Sequence, residues 1–414
     1  MIENFLKFID DTHLFDKEEK ILLAVSGGID SVVMAALFDK AGLNFGIAHC
    51  NFALRGEESD ADENFVKKIA RRYKVDFHVN YFETKAFADS EGISTQMAAR
   101  YLRYEWFEEV RKKEGYAYIA TAHHQNDTLE TILYNLTKGT GISGLHGILP
   151  KNGRIIRPLL FADKEMIRDY VATYQLTWRE DSSNESTKYA RNLIRHEVIP
   201  VLKQINPDLE NTVHHTVERV RAVEDLFEQK VREVREDIIK NEKQEIFLDI
   251  DKIKGLSQPE IILFELVKPY NFNYTQVREM VKRMGNGSGK VFVSPTHRLN
   301  IDRTLLIITP KELKSFQSRE VAVEDTEFEN AFFKLGFKIF DNIDYQMSKD
   351  KNNASLDFDR LKFPLKVRKW KEGDWFCPLG MNKRKKLSDF MIDEKIPLTL
   401  KERVFVLTSG DSIV

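Results

Sequence analysis

A short glycine-rich segment near the N-terminus carries the residue types of an anion-binding loop. An apolar run and an apolar helical pattern enclose the residues Ser26, Gly27, Gly28, Ile29, Asp30 and Ser31. Glycines let the backbone approach an anion closely, and the N–H groups at a helix N-terminus donate to it. Asp30 would repel a phosphate unless a cation lay between them, and Mg²⁺ suits that position. We therefore predict a phosphate or pyrophosphate loop with a metal site at Asp30; the alternative is an ordinary tight turn.

A second group of polar residues lies around a predicted strand end and the helix after it. Asp127 and Glu130 are three residues apart, so they share one helix face. Two carboxylates suit an incoming amine and can help to deprotonate it, although acidity that complements the helix dipole is the alternative. His123 closes the strand, where α/β sheets place ligand contacts. Arg103 shares a helix face with Arg100 and is a candidate to hold a carboxylate or a phosphate.

The elements that position these groups alternate between strands and helices. Apolar runs predict strands over residues 21–25, 45–48, 75–82 and 116–121. Helical patterns cover residues 32–38, 57–73 and 94–113, and another helix begins near residue 127. Strands that alternate with helices of this length predict an α/β domain with a parallel, Rossmann-like sheet covered on both faces.

The chain has 414 residues, too many for one ordinary core. We predict a catalytic α/β domain over residues 1–205, a helical and mixed substrate-binding domain over 206–325, and an α+β domain over 326–414. At the end of the chain a strand over 404–407 and a turn leave little room for a returning strand. We therefore expect an unpaired edge there, and a natural protein that continues or has been trimmed.

Composition limits the classes of function. No apolar run approaches the roughly 20 residues that cross a bilayer, so we expect no membrane partner. Cys50 and Cys377 form neither a disulfide framework nor a Cys-x-x-Cys pair, which favours a reducing cytoplasm. The formal net charge is −2, but residues 362–386 concentrate nine basic side chains against two acidic ones. Such a segment is typical of nucleic-acid binding, with a solvated face as the alternative.

Motifs along the chain resemble those of a known family. Ser-Gly-Gly-x-Asp-Ser after the first strand resembles the loop of the N-type ATP pyrophosphatases, or PP-loop enzymes, which adenylate a substrate oxygen; it is neither a Walker A loop nor Gly-x-Gly-x-x-Gly. Further segments resemble one branch, the tRNA(Ile)-lysidine synthetases. In chain order they are residues 49–60, 99–104, 122–131, 139–145, 157–160, 180–184, 191–196, 373–374 and 386–390.

This resemblance implies an ATP-dependent ligase that forms a carbon–nitrogen bond. The family adenylates C2 of the wobble cytidine in tRNA(Ile) with a CAU anticodon. The ε-amine of free L-lysine then attacks, giving lysidine, AMP and pyrophosphate and switching decoding from AUG to AUA. ATP is the co-substrate and Mg²⁺ the expected metal; a homodimer is left open. The resemblance assigns the ATP and lysine sites to Asp30, Arg103, His123, Asp127 and Glu130.

Weaker candidates and departures accompany this assignment. His49, Arg191 and Arg195 are weaker candidates for nucleotide or tRNA contact. Asn126 and Thr128 stand where the family usually has Asp and Gln, so no ligand contact is assigned to them. Asn126 can still cap the helix, and a structural role is expected of it.

Two other functions remain open at this stage. An RNA thiolase of the same superfamily would need cysteines arranged to pass sulfur or to hold a cluster. A non-catalytic RNA-binding protein that kept an ATP fold would have no reason to retain Asp30, Asp127 and Glu130 together.

Overall fold

The computed structural model describes most of the chain and divides it into two compact units. The described residues are 1–54, 56–180, 190–242, 245–311, 318–330, 333–340, 346, 348, 350, 352–378 and 383–414. The units are Met1–Leu226 and Phe227–Val414. No helix in the described part of the chain has the length and apolar character that a bilayer crossing requires. The three-domain division at residues 205 and 325 stays a prediction.

The first unit is built on one six-stranded sheet. Its strands are β1 (Ile21–Ala24), β2 (Phe45–Asn51), β3 (Phe77–Tyr81), β4 (Tyr118–Ala120), β5 (Lys151–Asn152) and β6 (Ile155–Ile156). Their order is β3-β2-β1-β4-β6-β5, and only the β5–β6 pair is antiparallel. The predicted α/β fold with a parallel sheet is confirmed.

Helices cover both faces of this sheet. The helices from the start of the chain through this unit are α1 (Ile2–Asp11), α2 (Ile29–Lys40), α3 (Glu57–Tyr73), α4 (Thr84–Glu91), α5 (Thr95–Lys113), α6 (Gln125–Lys138), α7 (Ile142–Leu145), α8 (Lys164–Tyr174), α9 (Ala190–Leu193), α10 (Ile199–Ile205) and α11 (Leu209–Ile238), of which α11 ends in the second unit. Along β1, Ile21 and Leu23 pack in a core with α2, whereas Leu22 packs on the opposite face with Phe107 of α5. Burial on both sides explains why β1 is apolar throughout instead of alternating.

The strand order places two chain segments side by side. From β1 the chain proceeds to β2 on one side, and it later returns to β4 on the other side of β1. The loops that follow β1 and β4 therefore meet at the carboxyl edge of the sheet, where the direction of winding reverses. Open α/β sheets bind ligands at such a point.

The second unit contains antiparallel sheets with short helices, so the predicted α+β character of the C-terminal region is confirmed. One sheet has the order β7-β8-β11-β10-β9, from β7 (Ile239–Glu242), β8 (Glu245–Asp249), β9 (Val291–Val293), β10 (His297–Ile301) and β11 (Leu305–Pro310). Its helices are α12 (Ile250–Lys254), α13 (Pro259–Val267) and α14 (Tyr274–Arg283). Their shared core is centred on Leu248, Leu263 and Leu299, all fully buried.

A second sheet follows, with the order β12-β15-β18-β19. The remaining elements are β12 (Arg319–Val321), β13 (Glu327–Glu329), β14 (Lys334–Gly336), β15 (Leu365–Lys369), β16 (Trp375–Phe376), β17 (Lys385–Lys386), α15 (Leu387–Asp393), α16 (Leu398–Lys401), β18 (Phe405–Ser409) and β19 (Ser412–Ile413). The expectation of a final strand without a returning partner is wrong. The two-residue β19 pairs with Thr408 and Ser409 of β18.

Candidate active site

The loop between β1 and α2 has the geometry of an anion cradle. Gly27 has a φ of +96°, a backbone conformation that favours glycine. The N–H groups of Gly27 and Gly28 donate to the hydroxyls of Ser31 and Ser26, at 3.2 and 3.3 Å. These are long hydrogen bonds, and a phosphate can replace the hydroxyls as acceptor.

Neighbouring segments hold the loop in place. The backbone N–H of Arg179 donates to the carbonyl of Gly27 at 3.0 Å, and its guanidinium forms an ion pair with Asp62 of α3. His49 is buried, and its Nδ1 lies 2.9 Å from the carbonyl of Val25, just before the loop. Burial lowers the pKa of His49, so a neutral ring supports the end of β1.

Asp30 lies in the first turn of α2 with one oxygen free to bind a cation. Its Oδ1 is buried without a hydrogen-bond partner in the part of the chain that the structure describes. Burial raises the pKa of Asp30, and the nearby Asp127 raises it further. An unsatisfied carboxylate oxygen beside a phosphate loop fits Mg²⁺, which commonly takes only one or two protein carboxylates. The described residues contain no cluster of three or more His, Cys, Asp or Glu side chains that could hold a metal ion.

His124 joins the loop to the acidic start of α6. Its Nε2 lies 3.8 Å from Oδ2 of Asp30 and 3.5 Å from Oδ2 of Asp127. The ring is only 2% exposed. His124 lies in one of the motifs above, but no role was predicted for it. The adjacent pair of histidines was the available signal, but it did not show which ring turns inward between the two carboxylates.

Asp127 is held as a carboxylate. Its Oδ2 accepts the backbone N–H of His124 at 3.0 Å. Burial raises the pKa of Asp127, but His124, that N–H group and Arg195 outweigh burial, and the pKa falls below its usual value. A negative charge therefore persists here at neutral pH.

Glu130 is already paired with an arginine. Arg195, in a π-helical turn over Ile194–Val198, donates from Nε and Nη2 to the two Glu130 oxygens, at 2.5 and 2.8 Å. Its Nη2 also lies 3.5 Å from Oδ1 of Asp127. Burial lowers the pKa of Arg195, but Glu130 more than offsets this. Arg195 is thus far more central than the sequence indicated, whereas Arg191 makes one long hydrogen bond to Thr131, at 3.4 Å.

His123 is a neutral imidazole. Its Nδ1 lies 2.9 Å from Oγ1 of Thr121. Burial lowers its pKa to about 4, and the positive charges of Arg157 and Arg100 act in the same direction. The ring can therefore exchange hydrogen bonds with a substrate at neutral pH but carries no charge.

Arg103 is on α5, and its side chain lies near the carboxyl end of β2. Its guanidinium is 5.2 Å from the centre of the Phe52 ring. Burial raises the pKa of Cys50, and the positive charge of Arg103 lowers that pKa by a smaller amount. In the described part of the chain, no hydrogen bond or ion pair joins Arg103 to Asp30, Asp127 or Glu130. The structure thus brings four of the five predicted catalytic residues to the ends of β1 and β4, and places Arg103 beside β2.

Comparisons with known proteins identify the family. Family models match residues 1–202 (PP-loop domain), 241–311 (TilS substrate binding domain) and 365–414 (TilS substrate C-terminal domain). The tRNA(Ile)-lysidine synthase of Parabacteroides distasonis is 40% identical over 418 residues, covering 100% of this chain and 94% of that protein. The chain belongs to the tRNA(Ile)-lysidine synthase family.

A second relative and a solved structure are also similar to this chain. The tRNA(Ile)-lysidine synthase of Bacteroides thetaiotaomicron is 37% identical, covering 99% of this chain and 93% of that protein. Among solved structures, a U34-tRNA thiolase, NcsA, from Methanococcus maripaludis is 18% identical with a TM-score of 0.43, over 53% of this chain and 79% of that one.

The two departures from the family pattern have structural partners. Oδ1 of Asn126 accepts from the N–H of Lys164 at 3.1 Å, and its Nδ2 donates to Oε1 of Glu210 at 2.8 Å. Asn126 therefore has a structural role, as expected, although its side chain bonds to α8 and α11 instead of capping α6. Thr128 is buried, and a Cβ on Gly147 would lie 2.3 Å from its Cγ2, so this threonine fills space against the Gly147 backbone.

The basic segment 362–386 is partly neutralised. Arg368 forms two hydrogen bonds with Asp374, at 2.7 and 2.9 Å, and Lys385 pairs with Asp393 at 2.6 Å. The guanidinium of Arg384 lies 3.7 Å from the centre of the Trp375 ring. Residues 379–382 lie outside the described part. A role of this segment in RNA binding stays a prediction.

Proposed function

We propose that this chain adenylates the oxygen on C2 of the wobble cytidine of tRNA(Ile) with a CAU anticodon, and then joins the ε-amine of free L-lysine to C2. The observation that carries the proposal is the contact of His124 with both Asp30 and Asp127, at 3.8 and 3.5 Å. It places an acidic, amine-attracting group beside a phosphate loop. Two relatives that align with this chain over nearly their full length are named tRNA(Ile)-lysidine synthase.

In the first step, we assign Ser26–Ser31 to the phosphates of ATP. The N–H groups of Gly27 and Gly28 and the start of α2 hold the negative charge. We assign the free Oδ1 of Asp30 to Mg²⁺. A Mg²⁺ ion held by Asp30 would supply positive charge that offsets the charge of the phosphates. The base oxygen takes the adenylyl group, and C2 becomes open to attack.

In the second step, we assign Asp127 to the ammonium group of lysine. Asp127 stays ionised because its pKa is low. Glu130 is neutralised by Arg195, so we assign this pair to the orientation of Asp127. The ammonium group must lose a proton before it attacks C2, and we assign the carboxylate of Asp127 as the acceptor of that proton. AMP then leaves with the electron pair of the broken C–O bond. His123, neutral at this pH, supplies a hydrogen bond at the reacting end of β4.

A sulfur-transfer reaction is disfavoured by the state of the cysteines. Burial raises the pKa of Cys50 to about 12, so it carries almost no thiolate at neutral pH, and the thiolate is the reactive form. Cys377 is exposed and unpaired among the described cysteines. A cytoplasmic location, a homodimer and Mg²⁺ as the metal stay predictions.

Mass spectrometry of the RNA product tests the proposal. Purified protein is incubated with ATP, lysine and tRNA(Ile) bearing CAU, and the tRNA is digested and analysed. We expect the wobble cytidine to gain one lysyl group, with one AMP and one pyrophosphate per product. The control tRNA differs only by uridine at the wobble position and should remain unmodified. ATP consumption on another RNA, with no lysyl gain on this cytidine, would overturn the proposal.

A further inference from the structure

Asn126, the residue before Asp127, joins the starts of three helices. Its Oδ1 accepts the N–H of Lys164, the first residue of α8, at 3.1 Å. Its Nδ2 donates to Glu210, in the first turn of α11, at 2.8 Å. Asn126 itself lies in the first turn of α6. One amide group therefore ties the N-terminal turn of α6 to both other helices.

The two hydrogen bonds demand a carboxamide. The Lys164 N–H needs an acceptor and the Glu210 carboxylate needs a donor, and asparagine supplies both. An aspartate would still accept from Lys164 but would present a second carboxylate to Glu210. The Glu210 side chain is only 10% exposed, and its Oε1 also accepts from Lys203 at 2.9 Å. A like charge placed beside it is therefore poorly screened by water.

The same turn of α6 is tied down next to Asn126. The N–H of Gln125 donates to the carbonyl of Ala162 at 2.9 Å, and its Nε2 donates to the carbonyl of Phe161 at 3.0 Å. The segment before α8 therefore holds this turn on one side, and Glu210 holds it on another. Asp127 is the next residue along the turn, so a shift of the turn changes its distance from Asp30.

We propose that Asn126 and Glu210 are positioning residues that hold Asp127 where lysine must bind. The inference rests on the proposed function for the identity of the bound amine. It also gives a physical reason for the departure at position 126, because the donor to Glu210 is lost when the amide becomes a carboxylate. Small displacements of a binding carboxylate have large effects on a reaction that depends on orientation.

Steady-state kinetics of Asn126→Asp tests the proposal. We expect the KM for lysine to rise by about tenfold, the scale of one lost hydrogen bond to a charged group. The KM for ATP should change by less than about twofold, since the phosphate loop lies on α2. Adding Glu210→Gln lets the hydrogen bond form again in the opposite direction, because the amide at position 210 can donate to the carboxylate at position 126. The KM for lysine should then return most of the way to the wild-type value.

Asn206→Asp is the matched control. Asn206 also bridges a backbone N–H and a side chain, with Oδ1 accepting from Asp208 at 3.0 Å and Nδ2 donating to Thr212 at 2.9 Å. Asn206 lies between α10 and α11, and neither of these two hydrogen bonds involves α6. The same chemical change there should leave the KM for lysine unaltered.

Hydrogen exchange separates this proposal from the proposed function, because it needs no substrate. Backbone amides of residues 127–131 should exchange faster in Asn126→Asp and recover in the double variant. A wild-type protein that makes no lysidine would overturn the proposed function. Three outcomes would overturn the positioning role: an unchanged KM for lysine in Asn126→Asp, a loss that Glu210→Gln does not reverse, or an equal rise of the KM for ATP.

Discussion

Arg195 holds both oxygens of Glu130, at 2.5 and 2.8 Å, and reaches to within 3.5 Å of Asp127. The two carboxylates that sequence spacing placed on one helix face are therefore unequal. Glu130 is 4% exposed and both of its carboxylate oxygens accept from Arg195, whereas Asp127 has only one oxygen near the same guanidinium. This inequality leads to separate predictions for the two residues.

Removing Arg195 should destabilise the fold as well as the site. Arg195→Ala leaves the carboxylate of Glu130 buried without its partner, and breaking such a pair costs about 3–5 kcal/mol. Chemical denaturation should show a loss of this size. Arg195→Ala combined with Glu130→Gln should recover much of it, because no unpaired charge then remains. Equal losses of stability in the single and double variants would show that the unpaired charge of Glu130 is not the cause of the loss.

Asp127→Asn should weaken the use of lysine more than the use of ATP. The amide keeps the size of the side chain but removes the charge that attracts the ammonium group. We expect the KM for lysine to rise by about tenfold or more, and adenylated tRNA to accumulate when lysine is limiting. Rapid-quench analysis of the tRNA-bound adenylate measures this directly. An equal fall in both half-reactions would assign Asp127 to the ATP site instead.

Asp30→Asn should abolish adenylation while leaving tRNA affinity nearly unchanged. The free Oδ1 of Asp30 is the atom that we assign to Mg²⁺, and an amide binds this hard cation far more weakly than a carboxylate. ATP–pyrophosphate exchange measures the first step, and filter binding measures the tRNA affinity. Adenylation at a near wild-type rate in this variant would remove Asp30 from the phosphate site.

The lowered pKa of His123 predicts a dependence of stability on pH. Burial takes this pKa from 6.5 to about 4, so the unfolded chain binds a proton in that interval and the folded chain does not. The stabilisation is fully present above pH 6.5 and is lost as pH falls toward 4, by up to roughly 1.4 kcal/mol per pH unit. Chemical denaturation at several pH values should show a shallower slope for His123→Gln. Identical slopes would contradict the prediction.

The sequence predicted local structure well because local patterns determine it. Residues 57–73 were expected to form a helix, and α3 has these bounds. The phosphate loop was recognised because glycines, a carboxylate and serines are adjacent in sequence. The pairing of Arg195 with Glu130 joins residues that are 65 apart, and Asn126 and Glu210 are 84 apart. Such contacts depend on how helices pack against one another, and the residue pattern within one helix does not predict that packing.

The last prediction concerns the basic segment, whose charges are unequally available. Lys385 is paired with Asp393, whereas Lys383, Arg384 and Lys386 are exposed. If the segment contacts tRNA phosphates, changing those three exposed residues to Ala should raise the Kd and flatten its salt dependence. The slope should fall by roughly one unit per lost contact. Lys385→Ala alone is the control and should change the slope less, because its charge is already balanced. Measuring Kd at three salt concentrations decides the matter, and an unchanged slope in the triple variant would exclude this segment from the RNA-binding surface.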